Sequence, residues 1–313
     1  MKEERKRLLA KVAYLYYCEG KSQAEIAEAT GIYRTSISRM LEKARDDGIV
    51  SIQITGFDTS LFELEESFKK RFNLASVVLV QESHKETNEE HFRNVASAAA
   101  SHLRQLISAG DTIGLSWGST LSEVVNQFET KTVKDISIYP LSGGPSHLHR
   151  DHHVNSLVYR LAHNLHGKGH YIRQTAIQEQ DSLPISSFGE IASAWEILDI
   201  AIIGIGAKAD KSVNSQWRDL LSQSDIIGLR KAGAVGEICC RFYDDKGQPV
   251  NSALQERTIG IPLDTLKKVP KRMAVAIGLE KAAAILAAVK AGYCNHLVTD
   301  KKTMEQMLLL DKN

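Results

Sequence analysis

At 313 residues the chain is long for one ordinary domain and predicts two. Its 43% hydrophobic and 25% charged residues suit a protein that buries a full core in water, and no run of about 18 apolar residues is present to cross a membrane. A formal net charge of +1 leaves nucleic acid open as a partner, because a small basic domain can sit beside a larger neutral one.

The start of the chain, MKEERKRLLAKVAYLYY, carries charges but no long apolar core followed by a small-residue cleavage site, which argues against a secretory signal. Cys18, Cys239, Cys240 and Cys294 form no CxxC pair and no ligand spacing. Read as one strand, residues 236–244 point Cys239 and Cys240 to opposite faces, so a mutual bridge is not expected. Free thiols in a reducing cytoplasm follow.

Residues 1–48 carry helical patterning. Ser22 predicts a helix N-cap, and Glu25 three residues on completes a capping box. That helix stops at Gly31, which tolerates the positive φ of a tight turn, and a second runs from about Tyr33 to Asp46. Two short helices joined at glycine follow the helix-turn-helix plan. Ile26, Ile32, Ile37 and either Met40 or Leu41 supply a small core, and Ala27 is small where the helices cross. The outer face of the second helix shows Arg34, Thr35, Ser36, Ser38 and Arg39 in its N-terminal half, where a recognition helix meets base edges. Arginine forks onto guanine, while serine and threonine serve bases or phosphates. Ser22, Gln23 and Tyr33 at the helix starts, and Lys43 further along, join the expected DNA contacts; Lys21 and residues 5–7 are expected at phosphates. Residues 49–54 then predict a short strand, Gly56 and Asp58 punctuate the chain, and a domain boundary is expected between residues 56 and 57. Apolar residues at 61, 62, 64, 68 and 72 predict a linker helix with a stripe for packing or dimerisation.

From Ser76 on, short apolar runs at 77–80, 112–115, 136–141, 197–205, 273–277 and 296–299 alternate with helical stretches such as 96–108 and 282–291. This alternation predicts an α/β domain on a mainly parallel sheet covered on both faces. Residues 236–244 predict one strand entering a tight turn at Asp245-Lys246-Gly247. In such sheets ligands gather at the carboxyl ends of the strands, where four loops are expected. Ser116-Trp117-Gly118-Ser119-Thr120 leads into a helix whose first N–H groups and dipole suit an anion. Ser142-Gly143-Gly144-Pro145-Ser146 follows an apolar strand. Gly204-Ile205-Gly206-Ala207 lacks the third glycine of a dinucleotide fingerprint, so no nicotinamide or other cofactor is expected. Gly278-Leu279-Glu280-Lys281 places Lys281 in the first turn of a helix, against the dipole. A bound anion relieves that mismatch and makes Lys281 a candidate phosphate ligand; a solvated lysine reads equally well. Glu237 and Asp300 are candidate acceptors for sugar hydroxyls or ordinary structural acids. His147, His149, His152 and His153 have no accompanying cysteine and no fixed ligand geometry, so they read as polar loop residues near a sugar pocket rather than a metal centre.

Several of these segments together resemble the SorC family of sugar-sensing bacterial regulators. The resemblance spans nearly the whole chain and rests on residues 13–17, Gly31-Ile32-Tyr33-Arg34-Thr35, Ser38-Arg39-Met40-Leu41, Ser116-Trp117-Gly118, residues 142–146, His153-Val154-Asn155 and residues 236–244. It implies a winged-helix-like DNA-binding head, a Rossmann-like effector domain akin to sugar-phosphate isomerases, a homotetramer and control of a carbohydrate operon. It also implies that the loop matching Ser116 to Thr120 and the lysine matching Lys281 help hold a phosphate; from their place at strand ends, Ser142, Gly143, Gly144, Gly206, Glu237 and Asp300 are expected around the effector as well. Family members often carry Asp where Glu237 stands, which bears on the identity of the sugar. The second loop has Ser142 and no lysine, so no imine with a sugar aldehyde is expected there.

The expected function is that of a cytoplasmic transcription regulator whose sugar or sugar-phosphate effector sets how paired recognition helices meet operator DNA. The residues fit activation and repression equally. The rival is a sugar-phosphate isomerase or deaminase with an added DNA-binding head. Such chemistry needs an acid or base beside the reacting carbon; Glu237, Asp300 and His147 can be nominated, but nothing in their spacing marks them.

Overall fold

The computed structural model of the protein describes residues 2–52, 59–83, 85–144, 150–179, 188–208 and 220–312. Gln53, Ile54, Gly56, Asp58, Pro145, Ser146, His147 and His149 lie outside the described residues. The chain divides into two compact units, residues 1–59 and residues 60–313.

The first unit holds α1 (Lys2–Tyr17), α2 (Gln23–Thr30) and α3 (Arg34–Asp46). The Ser22 hydroxyl accepts the Glu25 N–H at 3.3 Å, while the Ser22 N–H donates to Glu25 Oε2 at 2.8 Å. This reciprocal box satisfies two donors that a helix start leaves over, and the same bonds hold the Glu25 carboxyl below the usual range. Gly31 ends α2 with φ 70° and donates to the Ala27 carbonyl at 2.9 Å. Leu9, Val12 and Ala13 of α1 close over Ile26 of α2 and over Ile37, Leu41 and Ala44 of α3. Those three α3 positions recur at four and three residues, one helical stripe, so the opposite face of α3 is turned out. The strand predicted from Ile49 is not formed at residues 49–52. Val50 donates instead to the Ala44 carbonyl at 3.0 Å, which folds the chain back onto the end of α3.

The second unit begins with α4 (Ser60–Phe72), β1 (Ser76–Val80), α5 (Asn88–Leu106), β2 (Thr112–Leu115), α6 (Ser119–Asn126), β3 (Ser137–Pro140), α7 (Val154–Leu165), β4 (Lys168–Gly169) and α8 (Gly189–Trp195). It continues through β5 (Ile200–Gly204), β6 (Gly206–Ala207), α9 (Gln223–Lys231), β7 (Gly236–Ile238), β8 (Arg241–Tyr243), α10 (Ser252–Arg257) and α11 (Leu263–Lys268). It ends with β9 (Lys271–Val275), α12 (Ala282–Lys290), β10 (His296–Asp300) and α13 (Lys301–Leu310). Seven strands form one sheet in the order β1-β10-β9-β5-β2-β3-β4, every pair parallel. All five residues of β10 and the first four of β5 are buried. Because successive strand residues point to opposite faces, such a run requires both faces to be covered.

The predicted helix at residues 61–72 packs Leu61 and Phe68 into its own unit's core, and Glu65 accepts the Leu79 N–H of β1 at 2.7 Å. The predicted single strand at residues 236–244 is instead a hairpin. β7 and β8 run antiparallel and β6 pairs on the other side of β7. Cys239 (φ 52°) and Cys240 (φ 64°) make the bend, so they do not alternate across one strand.

At the amino ends of β1 and β10, the Ser76 hydroxyl lies 2.8 Å from His102 Nε2 and 2.7 Å from His296 Nδ1. Burial, then the charges of His102, Arg272 and Lys271, pushes His296 down to about 4, and burial lowers His102. A histidine whose native pKa lies below its unfolded value binds fewer protons when folded, so its contribution to stability is lost as pH falls. The unfolding temperature is expected to drop as pH goes from about 6.5 toward 4, and His296→Asn to flatten that slope; an unchanged slope in the variant would place the acid sensitivity elsewhere.

Candidate functional site

Strand order reverses between β2 and β5: the chain leaves β2 for β3 on one side and leaves β5 for β9 on the other. Loops diverging from two neighbouring parallel strands open a crevice at their carboxyl ends. A cavity sits there, lined by Ser116, Trp117, Gly118, Ser119, Thr120 and Leu121 after β2, by Gly204, Ile205 and Gly206 after β5, and by Glu237, Cys239, Cys240 and Lys281.

The first wall is the start of α6. Gly118 is its N-cap at φ 124°, a backbone region open only to glycine, and it offers no side chain to cap the helix. Ser122 donates to the Gly118 carbonyl at 2.9 Å. The preceding N–H groups of Ser119, Thr120 and Leu121 have no acceptor among the described residues, so the first turn presents free donors to the cavity it lines.

The opposite wall is the β7–β8 hairpin. Glu237 Oε2 accepts the Cys240 N–H at 3.0 Å, and Gly206 leaves the space its carboxyl needs, since a Cβ there would overlap Glu237 Oε1. The Arg241 guanidinium anchors the hairpin from behind. It donates to the carbonyls of Gly260 (2.8 Å), Gln255 (2.9 Å) and Thr258 (3.1 Å) and to Gln255 Oε1 (3.0 Å). Tyr243 donates its hydroxyl to the Ala284 carbonyl at 3.1 Å, and a Cβ on Gly236 would lie 2.6 Å from Ala284 Cβ. These contacts tie the hairpin to α12, whose N-cap is Lys281.

Burial raises the Glu237 carboxyl to about 7, against the pull of the Cys240 N–H and of Lys281. Burial lowers Lys281, with Glu280 and Glu237 acting in the other direction. The thiols are pushed up too: Cys239 to about 12, with the Ser116 hydroxyl opposing, and Cys240 further still. Thiolate chemistry is disfavoured at such positions. A half-buried lysine and free N–H groups in the same cavity as a carboxyl suit a ligand with an anionic end and a hydroxylated end.

The structure therefore brings Ser116, Trp117, Gly118, Ser119, Thr120, Gly206, Glu237 and Lys281 together in one cavity. Ser142, Gly143, Gly144 and Asp300 are not among its lining residues. The Gly143 N–H donates to the Ile259 carbonyl at 2.9 Å and the Gly144 N–H to the Gln174 carbonyl at 3.2 Å, so neither of these two N–H groups is left for an anion. Its glycines are there for space: a Cβ on Gly143 would lie 2.5 Å from the Thr175 backbone, and one on Gly144 would overlap the His153 ring. Asp300 is the N-cap of α13, accepting the Thr303 N–H at 2.6 Å, and its other oxygen lies 3.5 Å from His91 Nε2. His153 caps α7, its Nδ1 accepting the Asn155 N–H at 3.2 Å. Leu121, Cys239 and Cys240 line the cavity without having been expected there. The two cysteines carried no signal, because their turn contains none of the glycine, asparagine or aspartate that marks such bends.

In the first unit, Tyr33, Arg34, Thr35, Ser38, Arg39 and Lys43 are exposed and Ser36 is half-buried. Ser22 spends its hydroxyl on the cap of α2, Gln23 is half-buried at the first position of that helix, and Lys43 pairs with Asp47 at 3.2 Å.

The family of sugar-binding domains known as Sugar-bind matches residues 58–309. The chain belongs to this family. It is 33% identical over 309 residues to the sorbitol operon regulator of Klebsiella pneumoniae, covering 96% of this chain and 98% of that protein. The solved full-length structure of that regulator, SorC, superposes with a TM-score of 0.74 at 32% identity, over 96% of this chain and 98% of that one. A transcriptional regulator from Streptococcus pneumoniae TIGR4 superposes with a TM-score of 0.78 at 39% identity, over 82% of this chain and all of that one. The α/β fold with an N-terminal helical head is thus that of the SorC-type transcription regulators. Among the described residues no helix is long and apolar enough to cross a membrane.

A carboxyl whose native pKa lies above its unfolded value favours the native state at low pH, and that contribution fades as pH rises. For Glu237 the window runs from about 4.5 to about 7. Glu237→Gln is therefore expected to raise the unfolding temperature over wild type at pH 8 and to change it little near pH 4.5. An offset equal at both pH values would dismiss buried ionisation as its cause.

Proposed function

We propose that the protein is a cytoplasmic regulator of a carbohydrate-utilisation operon, which binds operator DNA through α3 and a sugar or sugar phosphate in the cavity between β2 and β5. One observation carries this reading. Free α6 donors, the Lys281 ammonium and the Glu237 carboxyl converge on one cavity, in a chain whose head turns an Arg/Ser/Thr face outward. A phosphate or other anionic end lies against the first turn of α6 and Lys281; ring or chain hydroxyls bond Glu237, Ser116 and Thr120. The relatives named for sorbitol and for deoxyribonucleosides (the latter from Bacillus subtilis, 26% identical over 98% of this chain) support a polyhydroxylated effector.

Arg34 and Arg39 read base edges, with Thr35, Ser36 and Ser38 beside them, and Lys43, Ser22 and Gln23 at the backbone. Paired heads in a homodimer or homotetramer match half-sites about one DNA turn apart or a multiple of it. The effector favours one arrangement of the paired heads, and a coupling of roughly 1–3 kcal/mol changes operator affinity about 5- to 150-fold. No catalysis is assigned to Glu237; turnover of ketose or aldose phosphates by the pure protein would overturn that.

Arg34→Ala is expected to abolish discrimination between operator and unrelated DNA in footprinting, while sugar-induced thermal shifts stay intact; an unchanged footprint discards the assignment. In a thermal-shift screen of sugars, polyols and their phosphates, a ligand at about 100 times its Kd adds roughly 2.7 kcal/mol to the native state. Lys281→Ala is expected to weaken a phosphorylated hit far more than its unphosphorylated sugar, and equal losses would remove Lys281 from the phosphate.

A further inference from the structure

Tyr33 is 84% exposed, the most exposed large hydrophobic residue among those described. It is the N-cap of α3, with φ −57° and ψ 138°, yet its side chain makes no cap hydrogen bond. Only its carbonyl serves the helix, accepting the N–H groups of Ser36 at 2.8 Å and Ile37 at 3.1 Å. Side chains cap α2, α5, α7, α9, α10 and α13, through Ser22, Thr87, His153, Ser222, Asn251 and Asp300, while α6, α8, α11 and α12, like α3, have no side-chain cap. A cap of that kind on α3 would add about 1 kcal/mol. The head thus forgoes a stabilising residue and holds an aromatic ring in water at the same point. Neither packing nor capping accounts for this tyrosine.

Its position does. Tyr33 directly precedes Arg34 and Thr35, at the end of α3 that a recognition helix points into the major groove. The apolar feature of that groove is the C5-methyl group of thymine, which side chains read by apolar contact through an aliphatic group or an aromatic ring. Resting on the DNA-binding reading above, we infer that Tyr33 is a specificity-determining residue that reads a thymine methyl in each half-site through its ring. The phenol hydroxyl stays at the groove's edge, where it meets water or a phosphate.

The full-length protein is used to select duplexes from a random DNA pool, and each thymine of the selected site is then replaced singly by deoxyuridine, which removes the methyl and nothing else. Loss of one buried methyl corresponds to about a fourfold loss of affinity. Wild type is expected to lose about that much at one thymine per half-site. Tyr33→Phe is expected to keep the penalty, while Tyr33→Ser binds more weakly and is indifferent to the swap at that position. Tyr33→Ser also restores a capping hydroxyl, so its unfolding temperature is expected to match or exceed wild type, which separates recognition from a structural role. A uracil scan identical for wild type and Tyr33→Ser, on DNA that both still bind, overturns the inference about Tyr33 alone. Failure of wild type to select any DNA overturns the proposed function, and this inference with it.

Discussion

Two consecutive residues that are not glycine, Cys239 and Cys240, bend the β7–β8 hairpin through the left-handed region of backbone space. For an L-residue that conformation costs on the order of 1–2 kcal/mol, and here the cost is incurred twice. The surroundings offset it. Both side chains are buried, the Cys240 N–H is taken by Glu237, and Arg241 pins the following strand to the backbone of residues 255–261. The position of Glu237 in the cavity follows from this bend. A relaxed two-glycine turn would remove the thiols that fill the space beneath the cavity, and a straight strand would remove the cavity's far wall.

The same hairpin sets where the cation lies. Gly236 and Tyr243 seat it on α12 at Ala284, so Glu237 and the Lys281 N-cap belong to one packed piece, while the free donors of α6 belong to another, carried by β2. In the sheet, β2 and β9 lie on either side of β5. On the proposed function, a ligand that bonds both bridges elements carried on the two sides of β5. Differential bonding is what a ligand needs in order to shift a conformational equilibrium.

Much of this was legible in the sequence, for physical reasons that also explain what was not. Apolar runs such as those of β5 and β10 can be satisfied only between two layers of helix, so the parallel sheet could be read from them. The Ser22–Glu25 box and Gly31 are local chemistry, visible at a spacing of a few residues. The first loop was readable because a Gly/Ser/Thr turn between strand and helix leaves free N–H groups wherever it occurs. The Ser142-Gly143-Gly144 loop has the same composition, but its two glycine N–H groups are taken by Ile259 and Gln174, partners remote in sequence that no local pattern announces. Asp300 failed in the opposite sense: a carboxylate ending a strand also starts the next helix, and the cap took it. The Cys239–Cys240 bend was invisible because long-range anchoring by Arg241, rather than turn chemistry, sustains it.

Charge separates the two ways in which the head can hold DNA. Residues 1–59 contain ten lysines and arginines and nine aspartates and glutamates, so as a body the head is nearly neutral and gains little long-range attraction from phosphates. The acids are unevenly placed: none occurs between Glu28 and Glu42, the stretch that holds the turn and the N-terminal half of α3. Within that acid-free stretch Arg34 and Arg39 lie exposed beside Tyr33, Thr35 and Ser38. On the proposed function, base contacts from this face require α3 to be seated in the groove. Salt dependence then reports the number of close phosphate contacts rather than the net charge of the chain. A head that binds only when seated is also sensitive to anything that changes how it is presented, which is the lever available to an effector bound elsewhere in the protein.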